Sequence, residues 1–157
     1  MPVITLHTII NAPIERCFLL SLSVDLHKAS VYQTKEKAIA GITSGIMQPG
    51  DTVTWEANHF GMKLQMTSKV SAYNKPTYFI SEMIKGPFKK LHHQHLFREE
   101  NGKTVMTDIF ELKAPFGILG RIAETLFLTH YMQRFLMLRN EYIRNVAESH
   151  DWKLFID

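Results

Sequence analysis

The sequence predicts an α+β domain in which a curved antiparallel sheet of about seven strands wraps around a long C-terminal helix. Three observations predict this fold. Apolar residues recur every three or four positions from Phe116 to Glu148, which is the period of a helix. Most of the preceding chain alternates with period two, and short turn sequences separate the alternating segments. Strands joined in this way form an antiparallel meander, and a helix can cover its apolar face.

Composition limits the class of protein. The chain has 157 residues, 45% of them hydrophobic and 21% charged, which is typical of one globular domain spanning 1–157. A net charge of only +3 argues against a nucleic-acid-binding protein. Cys17 is the single cysteine, so a disulfide framework and a cysteine-based zinc site are excluded. The N-terminus lacks the pattern of a signal peptide, and we therefore expect a cytoplasmic protein.

The first elements are a strand and two short helices. Alternation from Val3 to Ile10 predicts the strand. Asn11, Ala12 and Pro13 end it and begin a helix that has Glu15 in its first turn. Ser23 is a suitable cap for a second helix, from about Val24 to Tyr32.

Six further strands follow, each bounded by turn residues. They are predicted at Lys37–Ala40, Asp51–His59, Met62–Tyr73, Thr77–Lys85, Phe88–Glu99 and Lys103–Lys113. The turn between Lys85 and Lys90 carries three lysines and Phe88. We interpret it as a solvated turn whose Phe88 packs inward, and contact with anionic head groups is the alternative.

The C-terminal helix is predicted to start at Pro115 or Phe116, because proline suits the first helical position. Its charged residues are too frequent for a membrane span, so stable membrane insertion is not expected. The side predicted to face the sheet comprises Phe116, Leu119, Ile122, Ala123, Leu126, Phe127, Tyr131, Phe135, Leu138, Tyr142 and Val146. Arg139 and Asn140 are assigned to the helix surface, in ordinary ion pairing.

Four motifs accompany this element order. They are Asp51-x-Val53-x-Trp55-x-Ala57-x-His59-Phe60-Gly61, Gly86-Pro87-Phe88, His93-x-His95-x-Phe97 and Pro115-x-Gly117-x-Leu119-Gly120. With them the sequence resembles the START-like (SRPBCC) superfamily of polyketide cyclases and dehydratases, lipid-transfer domains and the birch-pollen-allergen fold. More narrowly, it is similar to bacterial single-domain members labelled cell division inhibitors. The resemblance implies a helix-grip fold with a cavity between the sheet and the long helix.

Strand alternation indicates which residues would line such a cavity. Taking the apolar face as inward, the candidate ligand-binding residues are Trp55, His59, Leu64, Met66, Ser81, Met83, His93, His95, Asp108, Tyr131 and Phe135. Large, flexible side chains with a few polar groups suit a hydrophobic small molecule with a polar handle. The alternative is that the same residues fill a solid core.

Polar residues on this apolar face are the sharpest feature of the sequence. Period two places His93 and His95 on one face of a strand, and His59 and Asp108 are predicted to share that face. Buried polar groups need partners, so an Asp–His pair is expected. The group is interpreted as a structural network, as a ligand-contacting or acid–base site of His93, His95 and Asp108, or as a metal site. No metal motif spacing is present, and we predict no metal and no cofactor.

Three functions therefore remain open. The first is a binding module for a lipid-like or polyketide-like molecule. The second is a cyclase or dehydratase that uses a cavity histidine and Asp108 as acid–base groups. The third is a regulatory interaction protein. The apolar tail from Trp152 to Ile156 is expected to pack on the domain or on a second copy, so a homodimer is one outcome.

Overall fold

Seven antiparallel strands form one curved sheet in the computed structural model, which describes residues 2–31 and 34–156. The strands are β1 (Val3–Ile10), β2 (Lys37–Gly41), β3 (Thr52–His59), β4 (Met62–Asn74), β5 (Tyr78–Lys85), β6 (Lys90–Glu100) and β7 (Lys103–Lys113). Their spatial order is β1-β7-β6-β5-β4-β3-β2. The predicted α+β class and meander are confirmed.

Two short helices carry the chain from one edge of the sheet to the other. They are α1 (Ile14–Ser21) and α2 (Val24–Ser30). The Ser23 side chain accepts a hydrogen bond from the Leu26 amide at 3.1 Å, as expected of a helix cap. The end predicted for α2, at Tyr32, lies outside the described residues.

The C-terminal helical stretch has three parts. It consists of α3 (Gly117–Ala123), a π-helical turn (Glu124–Leu128) and α4 (Thr129–Glu148). Pro115 is not the first helical residue, which corrects the prediction. Phe116 intervenes in a left-handed conformation, at φ 71°, and Gly120 packs so closely on the Pro115 carbonyl that a Cβ there would lie 2.0 Å from its oxygen.

The buried apolar residues form two cores. The large core comprises residues of α1, α2 and the C-terminal half of α4 together with residues of the sheet, and Phe18 lies at its centre. The sheet residues include Val53 and Trp55 of β3, Val70 of β4, Phe79 of β5, Phe97 of β6 and Met106 of β7. Three rings meet Phe18 edge-on at centroid distances of 5.3–5.6 Å, those of Tyr73, Phe79 and Phe97. The smaller core comprises Ile4, Leu91, Phe110, Leu112 and Leu136. We call it the mouth-side core, because it lies toward the end of the sheet where a cavity opens.

The first part of the C-terminal stretch does not face the sheet as predicted. Phe116, Leu119, Ile122, Leu126 and Phe127 are 50–82% exposed. Leu138 is also exposed. The sheet lies under α4 and does not extend beneath α3, so only the later part of the apolar stripe finds a surface to cover.

The C-terminal tail packs back on its own domain. Ile156 is buried in the large core, with Trp152 and Phe155 packed against that core. The Arg16 guanidinium lies 4.2 Å from the centre of the Trp152 ring, a cation–π contact. No helix among the described residues has the length and apolar character that crossing a membrane requires.

Candidate functional site

A cavity of about 380 Å³ lies between the sheet and α4. Its volume is within the range of small-molecule sites, ~300–1,000 Å³. Strands β3–β6 and Phe110 of β7 form its floor, and α4 forms its roof. Among the residues that line it are Trp55, Ala57, His59, Leu64, Met66, Ser81, Leu91, His93, His95, Phe110, Tyr131, Phe135 and Arg139.

The cavity opens where several elements end together. Phe60, Met62 and Phe116 line it and are also more than half exposed. They lie at the β3–β4 turn and after β7, at the same end of the sheet as the β5–β6 turn, which adds Pro87 and Phe88. Because these residues reach both the cavity and the outside, they form its mouth.

The mouth is closed on one side by contacts between the β3–β4 turn and α4. His59 Nδ1 and the Tyr131 hydroxyl are 2.5 Å apart, and the Phe60 ring lies 4.5 Å from the Tyr131 ring. Burial lowers the pKa of His59 and raises the pKa of Tyr131. A neutral imidazole and a protonated phenol can share one hydrogen bond here.

A polar cluster lies deeper in the cavity. His93 is about 10 Å along β6 from Lys90 and His95 about 16 Å, at ~3.3 Å per residue. Leu91, nearer the mouth, belongs to the mouth-side core, and Phe97, beyond the histidines, belongs to the large core. The histidines therefore lie between the two cores, and their rings stack on each other at 3.7 Å.

Asp108 is the centre of this cluster. It is fully buried and pairs with His95 across β6 and β7. Its Oδ1 accepts a hydrogen bond from His93 Nε2 at 2.7 Å, and its Oδ2 accepts one from Asn140 Nδ2 at 2.6 Å. His95 Nδ1 lies 3.6 Å from Asp108 Oδ1, too far for a hydrogen bond, and it is buried without a partner among the described residues.

Arg139 completes the cluster from the helix side. Its Nη1 donates to Asn140 Oδ1 at 2.9 Å and lies 3.6 Å from Asp108 Oδ1. The side chain is 5% exposed and lines the cavity. Within residues 2–31 and 34–156, its other N–H groups have no hydrogen-bond acceptor. Arg139 and Asn140 are both buried, so the prediction that they lie on the helix surface is wrong.

The π-helical turn explains this error. Gly120 and Glu124 mark the buried face of the first part of the stretch. A regular helix would bring that face round to Leu138, at 3.6 residues per turn. The π turn adds one residue and rotates the following side chains by about 100°, which brings Arg139 inward instead. The Glu124 carboxylate, buried at this turn, accepts a hydrogen bond from the Ala114 amide at 2.6 Å.

Burial and the contacts between its members together set the protonation states of the cluster. Burial lowers the pKa of His93, although the hydrogen bond to Asp108 opposes the shift. Burial, with His93 and Arg139 nearby, lowers the pKa of His95 well below its usual value. Burial tends to raise the pKa of Asp108, but the hydrogen bond and charge of its neighbours outweigh this and lower it. At neutral pH both histidines are therefore neutral and Asp108 is ionised.

The structure brings most of the predicted site residues together. Trp55, His59, Leu64, Met66, Ser81, His93, His95, Tyr131 and Phe135 all line the cavity. Two do not. Met83 packs against the mouth-side core, and Asp108 lies behind His93 as its hydrogen-bond partner. Phe88 packs inward at its turn while the neighbouring lysines are exposed.

The cluster also has the donor types of a metal site. Ligand atoms of His93, His95 and Asp108 lie within 4.8 Å of one another. Arg139, however, places a guanidinium 3.6 Å from the Asp108 oxygen that a metal would share. The same oxygen already accepts the His93 hydrogen bond. Because a fixed positive charge beside the ligands opposes binding of a second cation, this donor set fits a metal poorly.

Comparison with known proteins identifies the fold. The sequence matches no protein-family model and no curated protein. A protein of Thermus thermophilus is 16% identical over 93% of this chain and 99% of its own, with a TM-score of 0.73. The Zhui aromatase/cyclase from Streptomyces sp. R1128 is 14% identical over 94% of this chain and 93% of its own (TM-score 0.69). Major latex-like protein 151 from Panax ginseng is 12% identical over 94% and 98% (TM-score 0.65).

The fold is helix-grip. Full-length superposition on proteins as different as a bacterial cyclase and a plant latex-like protein supports this assignment. Nothing in these likenesses supports the cell-division label. Helix-grip proteins with identities this low share architecture, and function has to be argued from the site.

Proposed function

We propose that the protein is a cytoplasmic binding module that holds a hydrophobic small molecule in the cavity between the sheet and α4. The observation that carries this proposal is the cavity itself. An unfilled volume of about 380 Å³ forfeits packing contacts that a solid core would make. A bound apolar molecule would restore them. Membership of the START-like superfamily, which the sequence motifs suggest, agrees with this function.

The composition of the lining supports an apolar ligand. Leu64, Met66, Leu91 and Phe110 are among the residues that line the cavity, and methionine adapts to irregular shapes. Polar side chains in the lining include His59 and Tyr131 at the mouth, the deep cluster, and His27, Glu36 and several serines elsewhere. A molecule with an apolar body and a polar end would match this distribution.

Two neighbouring residues of β3 provide a matched test. Ala57 is buried and lines the cavity, whereas Asn58 is exposed on the opposite face. Ala57→Phe should fill part of the cavity and weaken binding of Nile red, an uncharged apolar dye, at least about ten-fold. Asn58→Phe should leave it unchanged. Fluorescence titration of both variants measures the effect, and no Nile red binding by the unaltered protein would refute the proposal.

A second candidate function is acid–base catalysis of the cyclase or dehydratase type. The Asp108 carboxylate orients the neutral His93 ring so that Nε2–H donates to it, which leaves the lone pair of Nδ1 available to a ligand. A general base within reach of a carbonyl compound accelerates proton removal by roughly 10²–10⁴-fold. The fold likeness to an aromatase/cyclase is compatible with this chemistry.

Hydrogen exchange tests the catalytic alternative directly. If His93 is a base, the protein should accelerate deuterium uptake at the carbons beside the carbonyl of methyl octyl ketone. His93→Gln should abolish the acceleration while leaving Nile red binding in place. Mass spectrometry of the recovered ketone measures the uptake. Equal uptake with and without protein would reject catalysis and leave the binding function standing.

A further inference from the structure

We propose that the deep cluster of Arg139, His93, His95 and Asp108 binds the uncharged oxygen of the ligand, a carbonyl or hydroxyl, and rejects a carboxylate. This inference rests on the proposed function, because it concerns the polar end of a molecule held in the same cavity. It specifies the ligand class: an apolar body that ends in a neutral oxygen.

Arg139 offers hydrogen-bond donors to a ligand in the cavity. Arg139 has five N–H donors, and among the described residues only the bond to Asn140 Oδ1 uses one of them. The guanidinium lines the cavity, as do both histidines of the cluster, and most of the other lining residues nearby on the sheet, such as Leu91 and Phe110, are apolar. An oxygen that enters here can accept from Arg139, whereas a hydrocarbon end would leave those donors desolvated and unpaired, which is unfavourable.

The charges of the cluster disfavour an anionic ligand. Asp108 carries one negative charge and Arg139 one positive charge, 3.6 Å apart, and both histidines are neutral. The cluster is therefore already electrically balanced. A carboxylate would add a negative charge to a buried site that has no cation left to compensate it, and isolated buried charges are strongly disfavoured.

The buried histidines do not restore that balance at neutral pH. Burial and the nearby guanidinium oppose protonation of His95, and burial opposes protonation of His93. His95 Nδ1, which has no partner among the described residues, lies 3.6 Å from the Asp108 carboxylate. Glu36 also lines the cavity, where its carboxylate is hydrogen-bonded to His27 at 2.9 Å, so it supplies no cation for an anionic ligand.

A set of four molecules with equal chain length separates the head groups. Decane, decanol, methyl octyl ketone and decanoate share an apolar body and differ only at one end. Competition against Nile red at neutral pH measures their relative affinities. We expect decanol and the ketone to compete at concentrations about ten-fold lower than decane, because each gains one hydrogen bond to a charged donor. Decanoate should compete no better than decane.

Removing the negative charge of the cluster should invert this preference. In Asp108→Asn the side chain keeps its shape and an oxygen acceptor, but the cluster gains a net positive charge. Decanoate should then compete better than decane by at least about ten-fold, because it now compensates Arg139. Asp151→Asn makes the same change at an exposed residue that is not among those lining the cavity, and it should keep the selectivity of the unaltered protein.

The outcomes are distinguishable. Equal competition by all four molecules would keep the binding function and overturn the proposed head-group site. Stronger competition by decanoate than by the ketone in the unaltered protein would overturn it as well, whether or not Asp108→Asn folds. Failure of every molecule and of Nile red to bind would instead refute the binding function.

Discussion

The large core and the mouth-side core contrast in how completely they are packed. Around Phe18, three aromatic rings make edge-on contacts, and helices α1, α2 and α4 cover the strands. In the mouth-side core, Leu91 and Phe110 border the cavity, and α3 leaves its apolar side chains exposed. The surroundings of Phe18 are thus densely packed, whereas the mouth-side core borders open space. The cavity also reaches the large core, whose residues Val53, Trp55 and Phe79 line it.

The polar cluster marks the boundary between these two regions. Asp108 ties β6 to α4 through His93 and Asn140, so a hydrogen-bonded network joins the sheet to the helix where apolar packing stops. We infer that the packed surroundings of Phe18 supply most of the stability and that the residues lining the cavity, which come from both cores, supply the space for a ligand. Stability and binding should therefore respond to different substitutions.

Asp108→Leu should have the largest effect on stability, since it strips partners from His93, Asn140 and Arg139 together. Leaving a buried charge unpaired costs roughly 3–5 kcal/mol. Asp108→Asn should cost about 1–3 kcal/mol less, because it retains an acceptor. Urea unfolding of both variants measures the difference. Equal stability of the two would mean that hydrogen bonding by Asp108 contributes little.

One substitution in the large core and one at a cavity residue packed against the mouth-side core test the contrast directly. Phe18→Ala should destabilise the protein by about 3–5 kcal/mol, as a fully buried aromatic leaves a cavity. Met66→Ala, at a half-buried residue that already borders the cavity, should cost roughly 1 kcal/mol or less. It should change Nile red affinity instead. A larger loss from Met66→Ala than from Phe18→Ala would reverse the proposed division.

Acid should destabilise the protein through the cluster. The pKa of His95 lies well below 6.5 in the folded protein, so the unfolded chain binds more protons as the pH falls below about 6.5. Stability is then fully present above that pH and declines as the pH falls toward the folded-state pKa. His93, whose pKa is also lowered, acts in the same direction. His95→Gln should flatten the decline between pH 7 and 5, and thermal melts across that range measure it.

Metal analysis should show no stoichiometric zinc or iron after dialysis. The reason is the Arg139 guanidinium beside the Asp108 oxygen, which competes for the position of a cation. Elemental analysis of protein grown in zinc-supplemented medium is the measurement. Arg139→Met serves as a contrast, because it removes the competing charge, and zinc uptake by that variant alone would support this explanation.

The smallest effect is expected at the exposed apolar face of α3. Leu119 is 72% exposed, and Leu119→Ser should alter the free energy of unfolding by no more than about 0.5 kcal/mol. A loss of unfolding free energy comparable with that of Phe18→Ala would show that α3 packs against another molecule, such as a second copy of the chain. Chemical denaturation at several protein concentrations would reveal such an effect.

Much of the fold could be predicted from the sequence because its signals are local. Alternation along β3, β4 and β6 and the turns between them fix the strands within a residue or two. The face assignment of His93 and His95 depends only on period two, and no register shift divides β6 from β7. Asp108 lies opposite His95, so the expected Asp–His pairing required only a correct meander.

The helix contribution to the site could not be predicted for physical reasons. Burial of Arg139 depends on the π turn at Glu124–Leu128, which residue periodicity does not reveal. The Glu124 carboxylate that accepts from Ala114 is a tertiary contact. A weak signal existed: Leu136, Arg139, Ile143 and Val146 recur at helical spacing, and a regular apolar pattern interrupted by arginine can mark a buried polar site.

The π turn at Glu124–Leu128 also affects how this chain should be aligned with other helix-grip proteins. A relative whose C-terminal helix is regular at that point has one residue fewer between the end of its last strand and its cavity-facing helix positions. An ungapped alignment anchored on β7 would then pair Arg139 with the residue after the structural equivalent. Placing a one-residue gap within 124–128 would restore the correspondence, and searches for other chains with an inward arginine should allow for it.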